Sequence, residues 1–491
     1  MAGFDGRMAG VKRIVLGTFA VLICAAMTYG YTAARRERTF SQLVDAGEAA
    51  LARDDTFAAI ESFSGAIALK SESMLGYLKR GEAYRRRQQL DSAGRDPHQV
   101  VKLDPAADAA MRDLLRAAEL DPVAPRPLEL LGDVNYAMRR FGRAAERYQR
   151  YIELDDRSPR VLYKLGLALY SGRRPGAAIA ALEKAIAIDE RFAEAFYLLG
   201  LCFRDTNRRD RSLHALEASV RLSPAMVHAR EELADLYGRL GRIDDRIAQL
   251  EVLVALDRGP SRHVALGLAY ARDGQFDRAV TTLGHAAERY PDESYAYVAL
   301  GRVWLEQSQS RPDRVDVSKA IGALEEAVGT EDSSEALTLF GRALLLSQKV
   351  EAAEGVLQQA TQKLPVDPQA FYYLADAAER RGHADIARRA LLDYSALEGE
   401  QPDARRRAAF AARIGDLSLQ AGDPSTAVVW FQRALEGPGA DAPLLVKTAE
   451  AQLRSGAAAA ARATIEKALE KDPLDREGRA LLRRIEARRT Q

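Results

Sequence analysis

Small residues recur along most of the chain at a nearly constant interval, and each lies in a segment whose apolar residues have helical spacing. Seven of the eleven intervals between successive members of this column are 34 residues. The column consists of Gly47, Gly81, Gly132, Gly166, Gly200, Ala234, Gly267, Gly301, Gly341, Ala375, Gly415 and Ala449. An internal period of this length predicts a solenoid, because a single repeat cannot bury its apolar faces without neighbours.

Other residue types keep fixed offsets from the small residue. Leu often comes one residue before it, an aromatic residue three later and a large apolar residue sixteen later, as in Leu199, Phe203 and Leu216 around Gly200. Ala is frequent at offsets of twelve and nineteen, and Pro at twenty-four, as at Pro224. The pattern predicts an inner and an outer helix in each repeat. The small residue allows their close approach, and Pro ends the outer helix.

The register of the repeat breaks at three places. We predict insertions near 94–109 in the second repeat, near 308–317 in the eighth, and near 398–403 between the tenth and eleventh. Their Pro, Gly and Asp content favours surface loops. Residues 476–491 are predicted to form a C-terminal capping helix, with Leu481, Leu482 and Ile485 turned inward, because the end of a solenoid needs a solvent-facing surface.

The period and its six columns resemble the tetratricopeptide repeat family. The resemblance covers about residues 40–475. It implies an all-α fold, a right-handed α-solenoid of about twelve helix-turn-helix units. In this family the inner helices line a concave face, and that face commonly binds extended or helical peptides.

An uncharged stretch of 21 residues, 14–34, comes before the repeats, with basic residues on both sides. It is long enough to cross a bilayer as a helix, and Tyr29 and Tyr31 lie where interfacial aromatic residues occur. We favour an uncleaved transmembrane signal anchor, with residues 1–13 as a cytoplasmic N-terminal tail and the repeats outside the cytoplasm. A cleaved signal peptide and the reverse orientation are the open alternatives.

Composition excludes several classes of function. With 71 basic and 70 acidic residues, the net charge of +1 provides no field to attract nucleic acid. Two cysteines cannot build a disulfide framework or a four-cysteine zinc site. No two histidines are three or four residues apart, and the sequence lacks phosphate-loop and nucleophile-elbow motifs. We therefore expect no enzyme, no catalytic residue, no cofactor and no metal.

The resemblance assigns groove-facing positions to offsets of minus three, plus one, plus four and plus five from the small residue. In repeats three to five these positions hold four tyrosines, with Glu129 and Asp133 beside them. The candidate partner-binding residues are Tyr136, Tyr163, Tyr170, Tyr197 and Arg204. Tyrosine buries a large area at low entropic cost and keeps a hydroxyl. The alternative is that some of these rings only pack between inner helices.

The residues directly after the small residue include no Asn. By resemblance, this disfavours the carboxylate clamp that some members of the family use to bind a terminal carboxylate.

The leading functional hypothesis is a membrane-tethered scaffold that mediates protein–protein interactions. It would bind a protein or peptide partner in the groove and the membrane through residues 14–34. The hypothesis places it in a bacterial inner membrane as a single-pass protein, with periplasmic repeats, in envelope biogenesis or polymer export. One alternative is a periplasmic protein that contacts polysaccharide in an exopolysaccharide system. Another is a non-catalytic subunit of an enzyme complex.

Overall fold

The computed structural model describes residues 5–92, 105–257, 259–310, 317–398, 403–438 and 441–487, and within these ranges the chain forms 25 α-helices and no strand. Twelve successive pairs of inner and outer helices, followed by one last helix, account for all of them. Contacts divide the chain into two units between Leu236 and Tyr237. Each unit is described by itself.

The first unit contains five helix pairs and most of a sixth inner helix. Odd-numbered helices are the inner helices and even-numbered ones the outer helices. The elements are α1 (Asp5–Ala52), α2 (Thr56–Leu69), α3 (Met74–Ser92), α4 (Pro105–Leu120), α5 (Pro125–Ala137), α6 (Phe141–Leu154), α7 (Pro159–Ser171), α8 (Pro175–Ile188), α9 (Ala193–Asp205), α10 (Arg209–Leu222) and α11 (Val227–Arg239). Inner helices of neighbouring repeats also contact each other, as α3 contacts α5 and α7 contacts α9.

The second unit continues the same arrangement to the end of the described chain. Its elements are α12 (Ile243–Leu256), α13 (Pro260–Arg272), α14 (Phe276–Arg289), α15 (Ser294–Ser310), α16 (Val317–Thr330), α17 (Ser334–Leu346), α18 (Val350–Ala360), α19 (Pro368–Arg380), α20 (Ala384–Glu398), α21 (Ala404–Gln420), α22 (Pro424–Leu435), α23 (Ala442–Arg454), α24 (Ala458–Lys471) and α25 (Arg476–Ala487). Helix α25 packs on α23 and α24, and Leu481 and Ile485 are buried while Leu482 packs against them, as predicted.

The column of small residues is where the inner and outer helices of a repeat touch. A Cβ added at Gly200 would lie 2.8 Å from the Leu216 side chain, and one added at Gly166 would lie 2.7 Å from that of Leu182. Both leucines are fully buried. The predicted close approach of the inner and outer helices at the small residue is therefore confirmed. The side chain that contacts the small residue is the large apolar one of the outer helix, in the pairs Gly47–Phe63, Gly81–Leu114, Gly132–Tyr148, Gly166–Leu182, Gly200–Leu216, Gly267–Leu283, Gly301–Leu324, Gly341–Leu357 and Gly415–Phe431.

The position seven residues after the small residue ends the inner helix. In ten of the described repeats this residue has a positive φ: Asp54, Arg139, Arg173, Asn207, Gly241, Gly274, Gln348, Gly382, Gly422 and Gly456. A residue in the left-handed region turns the chain and lets following N–H groups bond to the last helical carbonyls. In the second and eighth repeats, which carry the first two insertions, the inner helix instead continues through this position to Ser92 and Ser310.

The insertions lie partly outside the described residues. The structure begins α4 at Pro105, where proline suits the first turn of a helix, and it buries Ala106 and Ala107. The last residues of the predicted insertion at 94–109 thus belong to an outer helix rather than to a loop. Residues 93–104, 311–316 and 399–402 lie outside the described part of the chain.

The N-terminal stretch is continuous with the first repeat. Helix α1 runs from Asp5 to Ala52 without a break. Every residue from Cys24 to Thr39 is exposed, and Phe40 is the first buried residue among the side chains that the structure describes. Among the residues that the structure describes, no helix is both long and apolar enough to span a membrane. The side chains of 14–18, 20, 21 and 23 lie outside the described part. The anchor at 14–34 and the tail at 1–13 stay predictions.

Candidate partner-binding site

Two of the four predicted tyrosines line one pocket on the inner-helix face of the first unit. Tyr136 lies in the last turn of α5 and Tyr163 in the first half of α7, and the pocket between them has a volume of about 540 Å³. The Tyr163 ring lies 5.1 Å from the ring of Phe192, which caps the start of α9 and also lines the pocket. The Tyr136 ring lies 5.3 Å from that of Phe141. We call this the aromatic pocket.

Two of the remaining predicted residues, Tyr170 on α7 and Arg204 on α9, contact each other. Arg204 donates a hydrogen bond to the Tyr170 hydroxyl at 3.4 Å and forms ion pairs with Asp205 and Glu232. Burial, with a hydrogen bond to Asp205, raises the pKa of Tyr170 to about 12. Because two carboxylates already occupy its guanidinium, Arg204 holds two repeats together and is not an unpaired charge. Its role in partner binding stays a prediction.

All four tyrosines are half-buried and three pack against the same apolar cluster. Tyr163, Tyr170 and Tyr197 contact the core formed by residues such as Leu198 and Cys202. Tyr136 packs against the cluster of the preceding repeat, and its hydroxyl lies 3.1 Å from the Ser171 hydroxyl. The four tyrosine rings therefore do pack between helices. Their outer faces still form part of the surface, so packing and binding are compatible.

Beside the aromatic pocket lies a closed network of charges that the sequence analysis missed. Glu129 is buried and accepts hydrogen bonds from Arg126 and Lys164, each at 2.6 Å. Asp133 accepts one from Lys164 at 3.0 Å and one from the Tyr148 hydroxyl at 2.8 Å. Burial alone would raise the pKa of Glu129, but the hydrogen bond and charge of Lys164, together with Arg126, lower it. The two predicted acidic groove residues are thus neutralised within the chain.

This pairing follows the repeat and could have been found in the sequence. A lysine two residues before one small residue pairs with the acid directly after the preceding small residue. The pairs Lys164–Asp133, Lys79–Glu48 and Lys447–Asp416 show this spacing. The repeat offsets predict which side chains face the groove. They do not by themselves show which of these side chains pair with each other.

Two residues that line the aromatic pocket carry buried polar atoms without a partner in the described part of the chain. Gln88 is only 6% exposed, and its Oε1 accepts no hydrogen bond from any described residue. Arg85 lies one turn earlier on α3, and its buried Nε likewise has no partner there. Both side chains line the pocket. Arg85 lies four residues after Gly81, at a groove-facing offset, so the repeat register already indicates its position. Gln88 lies seven residues after Gly81, where most repeats turn, and the register alone does not predict its burial.

The pocket rim carries exposed charges of both signs. The Arg160 side chain is 70% exposed and approaches Glu129 only to 3.8 Å. Glu194, on α9, is exposed and lines the opposite wall near Tyr163. Aromatic walls, buried groups that need partners and charges at the rim are typical of a recognition site.

The described residues offer little chemistry beyond binding. They contain no group of three or more histidine, cysteine or acidic side chains arranged to hold a metal ion. Cys202 is fully buried, and burial raises the pKa of its thiol to about 12. A thiol with so high a pKa is a poor nucleophile at neutral pH.

Family models described as tetratricopeptide repeat match most of the chain. One model matches residues 129–191, 163–208, 197–262, 264–336 and 338–404, and a second matches 418–485. No curated protein sequence matches the chain.

Several solved structures are similar to it. They include YrrB, a repeat protein with an unusual peptide-binding site, at 18% identity over 42% of this chain and 97% of that chain, with a TM-score of 0.35. PilF from Pseudomonas aeruginosa is 20% identical over 48% of this chain and 98% of that chain, with a TM-score of 0.36. The Cut9–Hcn1 complex of the APC/C matches at 14% identity over 91% of this chain and 96% of that chain, with a TM-score of 0.34.

Proposed function

Because the chain belongs to the tetratricopeptide repeat family, whose repeats imply a protein-interaction scaffold, we propose that its partner binds in the aromatic pocket. The neighbouring surface of Tyr170 and Tyr197 extends the site. The chain acts as a scaffold that holds this partner and carries out no reaction of its own.

The observation that carries the proposal is the buried Oε1 of Gln88, a pocket-lining residue, which has no partner among the residues that the structure describes. An unsatisfied buried acceptor costs about 1–3 kcal/mol. A partner that donates a hydrogen bond to this atom removes that cost on binding. The aromatic side chains around it are of the type that dominates binding energies at interfaces. A surface without a binding partner has no use for an unpaired buried acceptor surrounded by aromatic side chains.

We place a peptide rather than a sugar in the pocket, because the repeats of this family imply a protein-interaction scaffold. The rings of Tyr136 and Tyr163 are tilted against those of Phe141 and Phe192 at 59° and 45°. The polysaccharide alternative therefore becomes an outcome of the binding test.

Site-specific cross-linking tests the proposed location. In full-length protein with Cys24→Ser, a thiol-linked photo-crosslinker is placed at Ala137→Cys, an exposed position lining the pocket. The matched control is Ala180→Cys, an exposed alanine of outer helix α8. We expect one polypeptide to be captured from position 137 and not from 180, and this capture to fall when Tyr163→Ala is added.

The controls separate binding from folding. Tyr295→Ala removes a half-buried tyrosine from inner helix α15 and should leave the cross-link unchanged. Equal capture from positions 137 and 180, or capture that survives Tyr163→Ala in a folded protein, contradicts the proposed site. Cross-linking to polysaccharide rather than protein would favour the alternative function.

We also propose that residues 14–34 tether the scaffold to a membrane. Support comes from the 21 uncharged residues and from the continuous helix α1, whose residues 24–39 are all exposed. A bacterial inner membrane with periplasmic repeats, and a role in envelope biogenesis or polymer export, extend this proposal. A role as a non-catalytic subunit of an enzyme complex is equally compatible with this tether.

Membrane fractionation tests the tether. Full-length protein should stay with membranes after a high-salt and alkaline wash, and a chain beginning at Arg35 should be released. Mature protein that begins near Arg35 on N-terminal sequencing would instead show a cleaved signal peptide.

A further inference from the structure

The walls of the aromatic pocket suit a large, flat side chain. Tyr136, Tyr163, Leu167 and Phe192 surround it. Its volume of about 540 Å³ lies in the range of sites that enclose small ligands, so it accommodates one aromatic side chain with part of the adjoining backbone. This lining selects for size and apolar character but does not orient the ligand.

Positive and negative charges are distributed unevenly around the pocket when the side chains that pair with each other within the chain are set aside. Lys164 and Asp133 neutralise each other, as do Arg126 and Glu129. Three charged side chains remain: Arg85, which has no carboxylate partner among the described residues, Arg160 with its 3.8 Å approach to Glu129, and the exposed Glu194. The side of the pocket formed by α3 and the start of α7 is therefore positive, and the α9 side is negative.

The two orphaned atoms on α3 differ in what they require. Arg85 presents a buried Nε–H, the edge at which a guanidinium binds a carboxylate in bidentate fashion. Gln88 presents a buried carbonyl oxygen, which needs an N–H or O–H donor. Because these residues are three positions apart on one helix, they face the same region. A ligand that satisfies both carries an acid and a donor side by side.

We propose that the aromatic pocket recognises a peptide segment in which a tryptophan adjoins an aspartate or glutamate. The indole ring lies between Tyr136, Tyr163 and Phe192, and its N–H donates to Gln88 Oε1. The neighbouring carboxylate pairs with Arg85, with Arg160 as a second cation at the rim. This inference rests on the proposed function, since it assigns a ligand chemistry to the same pocket.

The side-chain carboxylate, not a chain terminus, is the recognised anion. Arg85 lies in the interior of α3 and lines the pocket, and no groove asparagine is present to hold a terminal carboxylate. Glu194 on the opposite wall repels a second acid on that side. The acid is therefore favoured on one side of the tryptophan, and Glu194→Gln should tighten binding of a peptide with acids on both sides.

Fluorescence anisotropy with defined peptides tests the inference. The probe is a labelled, acetylated and amidated hexapeptide with a central Trp-Asp pair, compared with otherwise identical Trp-Asn and Phe-Asp peptides. Full-length protein should bind Trp-Asp about tenfold more tightly than Trp-Asn, as expected for a charge-assisted pair. It should bind Trp-Asp roughly fivefold more tightly than Phe-Asp, through one hydrogen bond.

Matched variants assign each preference to its residue. Arg85→Gln should remove the preference for Asp over Asn while keeping that for Trp over Phe, and Gln88→Leu should do the reverse. Arg150→Gln, an exposed arginine of outer helix α6, should change neither. Because each preference is a ratio within one variant, a general loss of affinity does not imitate the effect.

Two results overturn the inference. One is a preference for Asp that persists in folded Arg85→Gln, and the other is no binding of any of the three peptides. In the second case, cross-linking from Ala137→Cys decides separately whether the pocket is the partner site. If the cross-linking succeeds and the three peptides do not bind, the pocket is still the partner site but recognises a different ligand chemistry.

Discussion

The second and fourth repeats of the first unit begin alike and end their inner helices differently. In the fourth repeat, Arg173 adopts a φ of 59° seven residues after Gly166, and α7 has already ended at Ser171. In the second repeat, the same offset from Gly81 falls on Gln88, which stays helical, and α3 continues to Ser92. The insertion therefore converts a turn position into a buried helical position, and a polar side chain that would face solvent becomes part of a pocket.

The eighth repeat shows that this conversion follows from the insertion. Helix α15 also continues past its turn position, to Ser310, before residues 311–316. Gln307 on this extension is 8% exposed, and its Oε1 has no partner among the described residues. Both inserted repeats thus carry, among the described residues, a buried amide oxygen without a partner, seven residues after Gly81 in one and six after Gly301 in the other. Of these two glutamines, Gln88 lines the aromatic pocket and Gln307 does not, and this difference makes Gln307 a natural control.

The largest effect is expected where the regular repeats pack. Leu199 is 6% exposed and lies beside Gly200 at the contact between α9 and α10. Leu199→Asp puts an unpaired carboxylate in this core and should destabilise the first unit by several kcal/mol. Thermal unfolding followed by circular dichroism measures it, with Glu153→Ala on an exposed outer-helix position as the control. Equal melting of both variants would show that the register is wrong.

Glycine substitutions at Arg173 and Gln88, which share the offset of seven residues, should change the free energy of unfolding in opposite directions. Arg173→Gly relieves a non-glycine residue in the left-handed region and should stabilise the protein by about 0.5–1 kcal/mol. Gln88→Gly places glycine inside a helix and should destabilise it by about 1 kcal/mol. Urea unfolding of the two variants gives the sign directly. Destabilisation by both would mean that position 173 does not form the turn described here.

The ion pair next to the aromatic pocket predicts a smaller, pH-dependent effect. Although burial opposes it, pairing with Lys164 and Arg126 lowers the pKa of Glu129 below its ordinary value of 4.5. Since the unfolded chain then binds the proton more tightly, this contribution is complete above about pH 4.5 and is lost as the pH falls through the folded-state pKa.

Lys164→Met should therefore flatten the loss of unfolding free energy below pH 4.5. Arg150→Gln removes an exposed positive charge from the same unit and should not flatten it. Urea titrations at a series of pH values compare the variants. An unchanged acid slope in Lys164→Met would show that the pair does not contribute to stability.

Much of the fold was predictable because the repeat is local. Gly200 and Leu216 meet within one helix pair, so a sequence offset is enough to identify the contact. The same period placed Tyr136 and Tyr163 on one face, and both line the pocket. What the period could not provide is chemistry that departs from it. Phe192 lies before α9 rather than on it, and Gln88 lies where the insertion cancels the turn.

The proposed site requires a bound partner to pair with the side-chain oxygen of Gln88. Gln88→Leu and Gln307→Leu each remove a buried oxygen that has no partner among the described residues, and both should leave the unfolding free energy unchanged or raise it by about 1 kcal/mol. The decisive measurement is the fraction of the partner cross-linked from Ala137→Cys in each variant. We expect a severalfold loss of cross-linking with Gln88→Leu and none with Gln307→Leu. Equal capture in both variants, with the fold intact, would show that Gln88 does not bind the partner.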